Sequence, residues 1–235
     1  MRILVVEDDL QANRHLCRAL ARAGYVADSA FDGEQGHYLG DVAQFDAAVL
    51  DLGLPGIPGI EVLRKWRQRG RPLPVLILTG HDSYLEKVSA IEAGADDYVT
   101  KPFIIQEVIA RLRALIRRRH GLASAVLISG DVSMDTRCGL VKCCGAEIDL
   151  TRFEKRLLQF MLHQAGRVVR RTDIAEHIYG QEIDRESNTL EVIIGRLRRK
   201  LGPEVIETVR GAGYRMATRP PIIGSDQPQL GTNAG

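Results

Sequence analysis

The stretch AAVLDLGLPG, residues 47 to 56, is an apolar run that ends on a carboxylate and then breaks at Gly53, Pro55 and Gly56. A short unbroken apolar segment bounded by turn residues is the pattern of a strand covered on both faces, as in a parallel sheet. Moving outward, RILVV (2–6), YVADSA (25–30), PVLILT (74–79) and DYVT (97–100) repeat that pattern. Each strand-like run is followed by a segment with apolar residues at i, i+3 and i+4, the spacing of a helix lying on a sheet. Strands separated by helix-length segments need crossover connections. Residues 1 to 119 are therefore expected to form an α/β unit, a doubly wound five-stranded parallel sheet.

Beyond the basic RRRHG at 117 to 121 the pattern changes, and a linker is expected at residues 120 to 124. VLISGDVSMD, CGLVKCCG and EIDL are short strand-like pieces punctuated by Gly and Asp, the signature of a small antiparallel sheet. Helical stretches follow at Arg152 to Gln164, Thr172 to Tyr179 and Asn188 to Leu201, and then a Gly-containing hairpin, VIETVRGAGYRMA. Three helices followed by such a hairpin give an α+β winged helix-turn-helix domain, expected over residues 125 to 219. The tail from Pro220, with Pro, Gly and polar residues and no period, is expected to be disordered.

The 235 residues divide naturally into two domains, and 45% hydrophobic with 26% charged residues is ordinary globular composition. No run approaches the ~20 apolar residues of a membrane helix, and the N-terminus turns acidic after five apolar positions. A cytoplasmic protein with no membrane partner is expected. The four cysteines lack metal-site spacing and read most simply as free thiols.

In an open parallel sheet, reactive groups gather where the carboxyl ends of the strands face the crevice. Glu7, Asp8 and Asp9 end the first strand, Asp51 the third, Thr79 the fourth, and Lys101 follows the fifth. Clustered carboxylates repel unless a cation neutralises them, and oxygen ligands with room for water suit Mg²⁺. Such a cation would offset charge on a phosphoryl group arriving at Asp51, with Lys101 and Thr79 contacting its oxygens. A metal-dependent phosphatase would need a second acid and a substrate cleft, and neither is visible in the sequence.

VVEDD, VLDLGLPG, LILTG and GADDYVTKPF, in this order, resemble the receiver domain of two-component response regulators, the CheY-like fold. That resemblance implies that Asp51 accepts a phosphoryl group from a sensor histidine kinase. It implies Mg²⁺ on Asp8 and Asp51, on Glu7 largely through water, and on the Gly53 carbonyl. Thr79 and Tyr98 become the coupled switch, and Lys101-Pro102 a cis peptide that aims the ammonium. Many relatives carry a larger residue at the position of Gly53, so a short-lived phosphorylated state is expected. Pro58 also departs from the commoner acidic residue of this loop, with little expected effect on the chemistry.

In the second half, net charge of only +2 conceals a local patch: Arg196, Arg198, Arg199 and Lys200 fall in five positions at the end of a helix whose Leu190, Ile194, Leu197 and Leu201 form an apolar stripe. The cations suit phosphates, and Asn188, Glu191, Val192 and Gly195 are the candidates for the major groove. Arg210, beside a Gly-bounded turn, suits a minor-groove wing. DLTRFEKRLLQFM, NTLEVIIGRLRRKL and TVRGAGYR resemble the OmpR/PhoB winged-helix domain, and LDLGLP with NTLEV points within it to the PmrA/QseB-like group. The resemblance implies direct-repeat promoter sites, contact with RNA polymerase, and a homodimer of phosphorylated receivers through Lys87, Asp96, Asp97, Glu107, Arg111 and Arg118. It implies a transcription regulator rather than an enzyme, with slow autodephosphorylation its only reaction. Ile193 departs from the His common at its position.

Overall fold

A computed structural model describes residues 1–80, 84–179 and 189–218, apart from the side chains of 84–87. The first half alternates strands and helices: β1 (Arg2–Val6), α1 (Leu10–Arg22), β2 (Val26–Ala30), α2 (Gly33–Val42), β3 (Ala47–Asp51), α3 (Gly59–Gln68), β4 (Val75–Thr79), α4 (Tyr84–Glu92), β5 (Asp97–Thr100) and α5 (Ile105–Arg119). The sheet order is β2-β1-β3-β4-β5, with every pairing parallel. Strands β3 and β4 are buried at all five positions, which explains their unbroken apolar sequences. The winding reverses between β1 and β3, so the crevice at their carboxyl ends is where Glu7, Asp8 and Asp51 emerge.

The second half comprises β6 (Val126–Ser129), β7 (Val132–Asp135), β8 (Leu140–Cys143), β9 (Ala146–Glu147), α6 (Arg152–His163), β10 (Val168–Val169), α7 (Arg171–Tyr179), α8 (Leu190–Leu201), β11 (Ile206–Val209) and β12 (Gly213–Met216). Strands β6 to β9 form an antiparallel sheet, and β10-β12-β11 a second one. EIDL is mostly not a strand: β9 stops at Glu147, because Thr151 and Glu154 form a reciprocal capping box that starts α6. Strand β10 has only two residues and no sequence period of its own. It exists because β12 pairs with it, and Gly213 (φ 141°) lets that approach happen, since a Cβ there would lie 2.0 Å from the Val169 carbonyl oxygen. The helix expected from Asn188 is described from Leu190. Asn188 itself and the tail from Pro220 lie outside the described residues. Among the described residues no helix is long and apolar enough to cross a membrane.

The two halves share one apolar cluster, which runs from Leu16, Leu20 and Tyr25 into Leu157, Leu158, Met161, Ile174 and Ile178. Helices α6 and α7 meet the first sheet at the amino ends of its strands, opposite the acidic crevice. Buried Arg156 donates to the carbonyls of Tyr25 (2.7 Å), Gly24 (3.2 Å) and Ile178 (3.0 Å). His177 Nε2 lies 3.4 Å from Asp46 Oδ2, which also accepts from the Arg2 amide at 2.6 Å. Burial holds the His177 pKa below its usual value despite the Asp46 charge, so the imidazole is carried largely neutral.

Charge-assisted hydrogen bonds to buried carbonyls are worth about 1.5–3 kcal/mol each, and removing the donor strands the acceptors. Arg156→Met is therefore expected to cost about 3 kcal/mol and to separate urea unfolding into two transitions. Unchanged midpoint and cooperativity, followed by far-UV and near-UV circular dichroism, would contradict the role assigned to this side chain.

Candidate functional site

Each side chain of the crevice is delivered by a strand end. Oxygens of Glu7, Asp8 and Asp51 all lie within 4.8 Å of one another, with Glu7 and Asp51 buried and Asp8 exposed. Asp9, next in the chain, is used locally as the cap of α1 and accepts from the Ala12 amide at 2.7 Å. Lys101 Nζ donates to Asp51 Oδ2 at 2.8 Å and to Glu7 Oε1 at 3.0 Å. The Lys101 amide donates to the Thr79 carbonyl at 2.7 Å, tying the ends of β4 and β5 together. The Lys101–Pro102 peptide is cis, as the receiver resemblance implies. Thr79 is buried and Tyr98 half-buried, the latter packed on the cluster that contains Leu4, Leu50 and Ile77.

The electrostatics are those of excess negative charge in a shielded place. Burial pushes the Glu7 carboxyl above its usual pKa, partly countered by the hydrogen bond from Lys101 and reinforced by the Asp51 charge. Burial pulls the Lys101 ammonium down, but its hydrogen bonds to Asp51 and Glu7 outweigh that and leave its pKa raised. Glu7 Oε2 lies 2.7 Å from Nζ as an ion-pair contact, yet it is buried and accepts no directed hydrogen bond. A buried carboxylate oxygen with an unused lone pair, beside two further carboxylates, fits a hard divalent cation such as Mg²⁺.

Two residues that build the site were not picked out in the sequence. Asn13, fully buried on α1, donates to the carbonyls of Glu7 (3.1 Å) and Ala30 (3.2 Å) and so fixes the turn that carries the acidic residues. Gly59 lets α3 begin against the active strand, because a Cβ there would stand 1.9 Å from the Asp51 carbonyl oxygen. A buried polar residue on the apolar face of α1, and a Gly opening α3, were the available signals. Gly53 is exposed, and a Cβ on it would come 3.9 Å from Asp51 Oδ2.

Of the residues assigned to a dimer face, four already have partners within the chain. Asp96 Oδ2 accepts from Arg67 (2.9 Å) and from the Val75 amide (2.8 Å). Arg111 donates to Asp97 (3.0 Å) and Glu107 (2.7 Å), and Arg118 is exposed. The Lys87 side chain lies outside the described residues.

At the other end of the molecule the basic patch divides. Arg198 donates to the Ile206 carbonyl (2.6 Å) and Thr208 (2.8 Å), and Lys200 to Glu154 (2.9 Å) and the Asp149 carbonyl (3.0 Å). These two cations hold α8 to β11 and α6. Arg196, Arg199, Val192 and Gly195 are exposed together, Arg210 is exposed at the β11–β12 turn, and Glu191 accepts from Arg171 at 3.0 Å. Ile193 is buried, 1% exposed, so it packs the helix and presents nothing.

A doubly wound α/β unit with an acidic crevice, joined to a winged helix with an exposed, partly basic helix face, defines a sensory input module coupled to a DNA-binding output module. Comparison with known proteins agrees: the response regulator receiver domain matches residues 3–113, and the C-terminal domain of transcriptional regulatory proteins matches residues 145–216. The response regulator PhoP of Pseudomonas aeruginosa is 38% identical over 223 residues, covering 93% of this chain and 99% of that one. The regulatory protein QseB of Escherichia coli O157:H7 is 41% identical over 219 residues, covering 93% of this chain and 100% of that one. The solved Thermotoga maritima regulator DrrB, an OmpR/PhoB homologue, is 28% identical with a TM-score of 0.46, covering 92% of this chain and 98% of that one. The chain belongs to the OmpR/PhoB family of two-component response regulators, and is a DNA-binding regulator of transcription.

Loss of Lys101 removes the cation that lowers the Glu7 pKa. In Lys101→Met the Glu7 carboxyl is expected to titrate at higher pH than in wild type, read by carbon NMR of the metal-free protein. For an acid whose folded pKa is raised, the stabilising protonated form is complete below the unfolded pKa and lost as pH climbs through the folded one. The variant's stability should therefore fall as pH rises over that window; an unshifted Glu7 titration would refute the pairing.

Proposed function

We propose that residues 1–119 act as the receiver, 120–124 as the linker and 125–219 as the effector, and that Asp51 is the phospho-acceptor. The observation that carries this reading is the Lys101 bridge between Asp51 and Glu7 inside a cluster of three carboxylates at the winding reversal of the sheet. Glu7, Asp8, Asp51 and the Gly53 carbonyl would hold Mg²⁺, which when bound neutralises the charge on the transferring phosphoryl group. An Asp51 carboxylate oxygen attacks the phosphorus of a sensor kinase phosphohistidine; the P–O bond forms as the P–N bond breaks, and the imidazole leaves. Lys101 then shifts from ion pair to phosphoryl contact, and Thr79 donates its hydroxyl to a phosphoryl oxygen, with Tyr98 following it inward. Water later cleaves the acyl phosphate, the one slow reaction the chain performs.

Phosphorylation favours a homodimer through the α4, β5 and α5 face. Because Asp96, Asp97, Glu107 and Arg111 already pair within one chain, dimerisation exchanges exposed pairs worth about 0–1 kcal/mol each, so a small bias moves the equilibrium. The dimer sets two winged helices on direct-repeat promoter DNA, with Asn188, Glu191, Val192 and Gly195 toward the major groove, Arg196 and Arg199 on phosphates and Arg210 in the minor groove, where the effectors meet RNA polymerase. The work is cytoplasmic, where promoter and kinase domain meet.

With acetyl phosphate and Mg²⁺, binding to the chain's own promoter in a gel shift is expected to tighten about tenfold, or ~1.4 kcal/mol. EDTA or Asp51→Ala should abolish the gain, and equal binding by Asp51→Ala in both conditions would remove the proposal. Since Gly53 leaves the Asp51 oxygen open, Gly53→Met is expected to slow loss of the phosphoryl group about threefold to tenfold, roughly 1 kcal/mol in barrier. Equal lifetimes by phosphate-release assay would sink the shielding argument.

A further inference from the structure

A cleft of about 590 Å³ opens between the two halves, on the side away from the acidic crevice, and no Asp or Glu lines it among the described residues. Arg22 and Arg113 enter it from the receiver, Arg137, Arg152, Lys155 and Gln159 from the effector. Of these five cations Arg137 and Arg152 have interactions within the chain, and the charge of the others favours an anion in the concavity. Arg137 is neutralised by Asp135 at 2.6 Å, whereas Arg22 and Lys155 have no ion pair among the described residues. One further group points to a missing partner. The Nε–H of Arg113 is buried without an acceptor, although its guanidinium also bonds the Tyr25 hydroxyl. Gln159, a residue only 7% exposed, also lines the cleft. Buried donors are seldom left unused.

We infer that this interdomain cleft binds a small, multiply phosphorylated anion, a di- or triphosphate free or carried by a nucleoside. Guanidinium groups match phosphate oxygens two at a time, and several converging arginines suit more than one phosphate. The volume lies in the range of small-molecule sites, about 300–1,000 Å³, and Met134 and Leu150 supply an apolar wall for a base or sugar. Because both halves contribute cations, the ligand holds only the docked arrangement and stabilises it by mass action. The site is separate from Asp51 and reports on a metabolite rather than on the kinase.

Isothermal titration of the full chain in magnesium-free buffer, with inorganic tripolyphosphate and with GTP as probes, tests the inference. One equivalent of each is expected to bind. Tighter binding of GTP would mean that the nucleoside is also read, and equal binding that the phosphate chain alone is recognised. Arg22→Glu with Lys155→Glu should weaken both probes at least about tenfold. The same charge change on α3, Arg64→Glu with Lys65→Glu, should leave them unchanged, and Gln159→Leu, which keeps the charge, should still weaken binding. No binding by wild type, equal loss in both double variants, or one-for-one displacement by a short DNA duplex that depends on Arg22 and Lys155 would each overturn it.

Discussion

Three carboxylates and one ammonium, forced together where a buried parallel sheet ends, form the constraint around which the receiver half is arranged. Glu7 and Asp51 are buried because β1 and β3 are central strands, and Lys101 is the only cation bonded to both among the described residues. Burial raises the Glu7 pKa even with Lys101 beside it, and the Asp51 charge adds to that. The surroundings serve this arrangement. Asn13 fixes the turn after β1, Gly59 admits the start of α3, and the Lys101 amide ties its loop to β4.

At the amino ends of the same strands the chemistry is reversed. There the chain buries a guanidinium and an imidazole, Arg156 and His177, against carbonyls and Asp46. Strand β3 runs from the residue after Asp46 to Asp51, so the two ends are joined by five buried residues, about 16 Å of rigid strand. The effector is therefore seated on the sheet whose other edge carries the acidic cluster, and its α8 face stays exposed in that seat.

The fold was legible in the sequence because burial on both faces writes itself as unbroken apolar runs and helices on a sheet write a 3.6-residue period. The candidate site was legible for a topological reason: parallel strands put their ends at one edge, so Glu7, Asp51, Thr79 and Lys101 could be grouped without coordinates. What stayed hidden depends on partners distant in sequence. Arg156 reads as one more charge on a helix until Gly24 and Tyr25 are seen above it. Asn13 reads as a break in an apolar face. Strand β10 has two residues and takes its form from β12 alone.

The same limit governs the basic helix. Counted in sequence, α8 offers four cations near its end; in the fold, Arg198 and Lys200 are spent on Ile206, Thr208, Asp149 and Glu154. Electrostatic affinity for DNA scales with the number of phosphates neutralised, and halving that number from one helix removes a large part of the sequence-independent attraction. Arg196, Arg199 and Arg210 remain exposed. Joining two such effectors on one duplex would multiply their affinities through effective concentration. Under the proposed pairing, internal use of half the helix charge would make occupancy depend on two effectors rather than one.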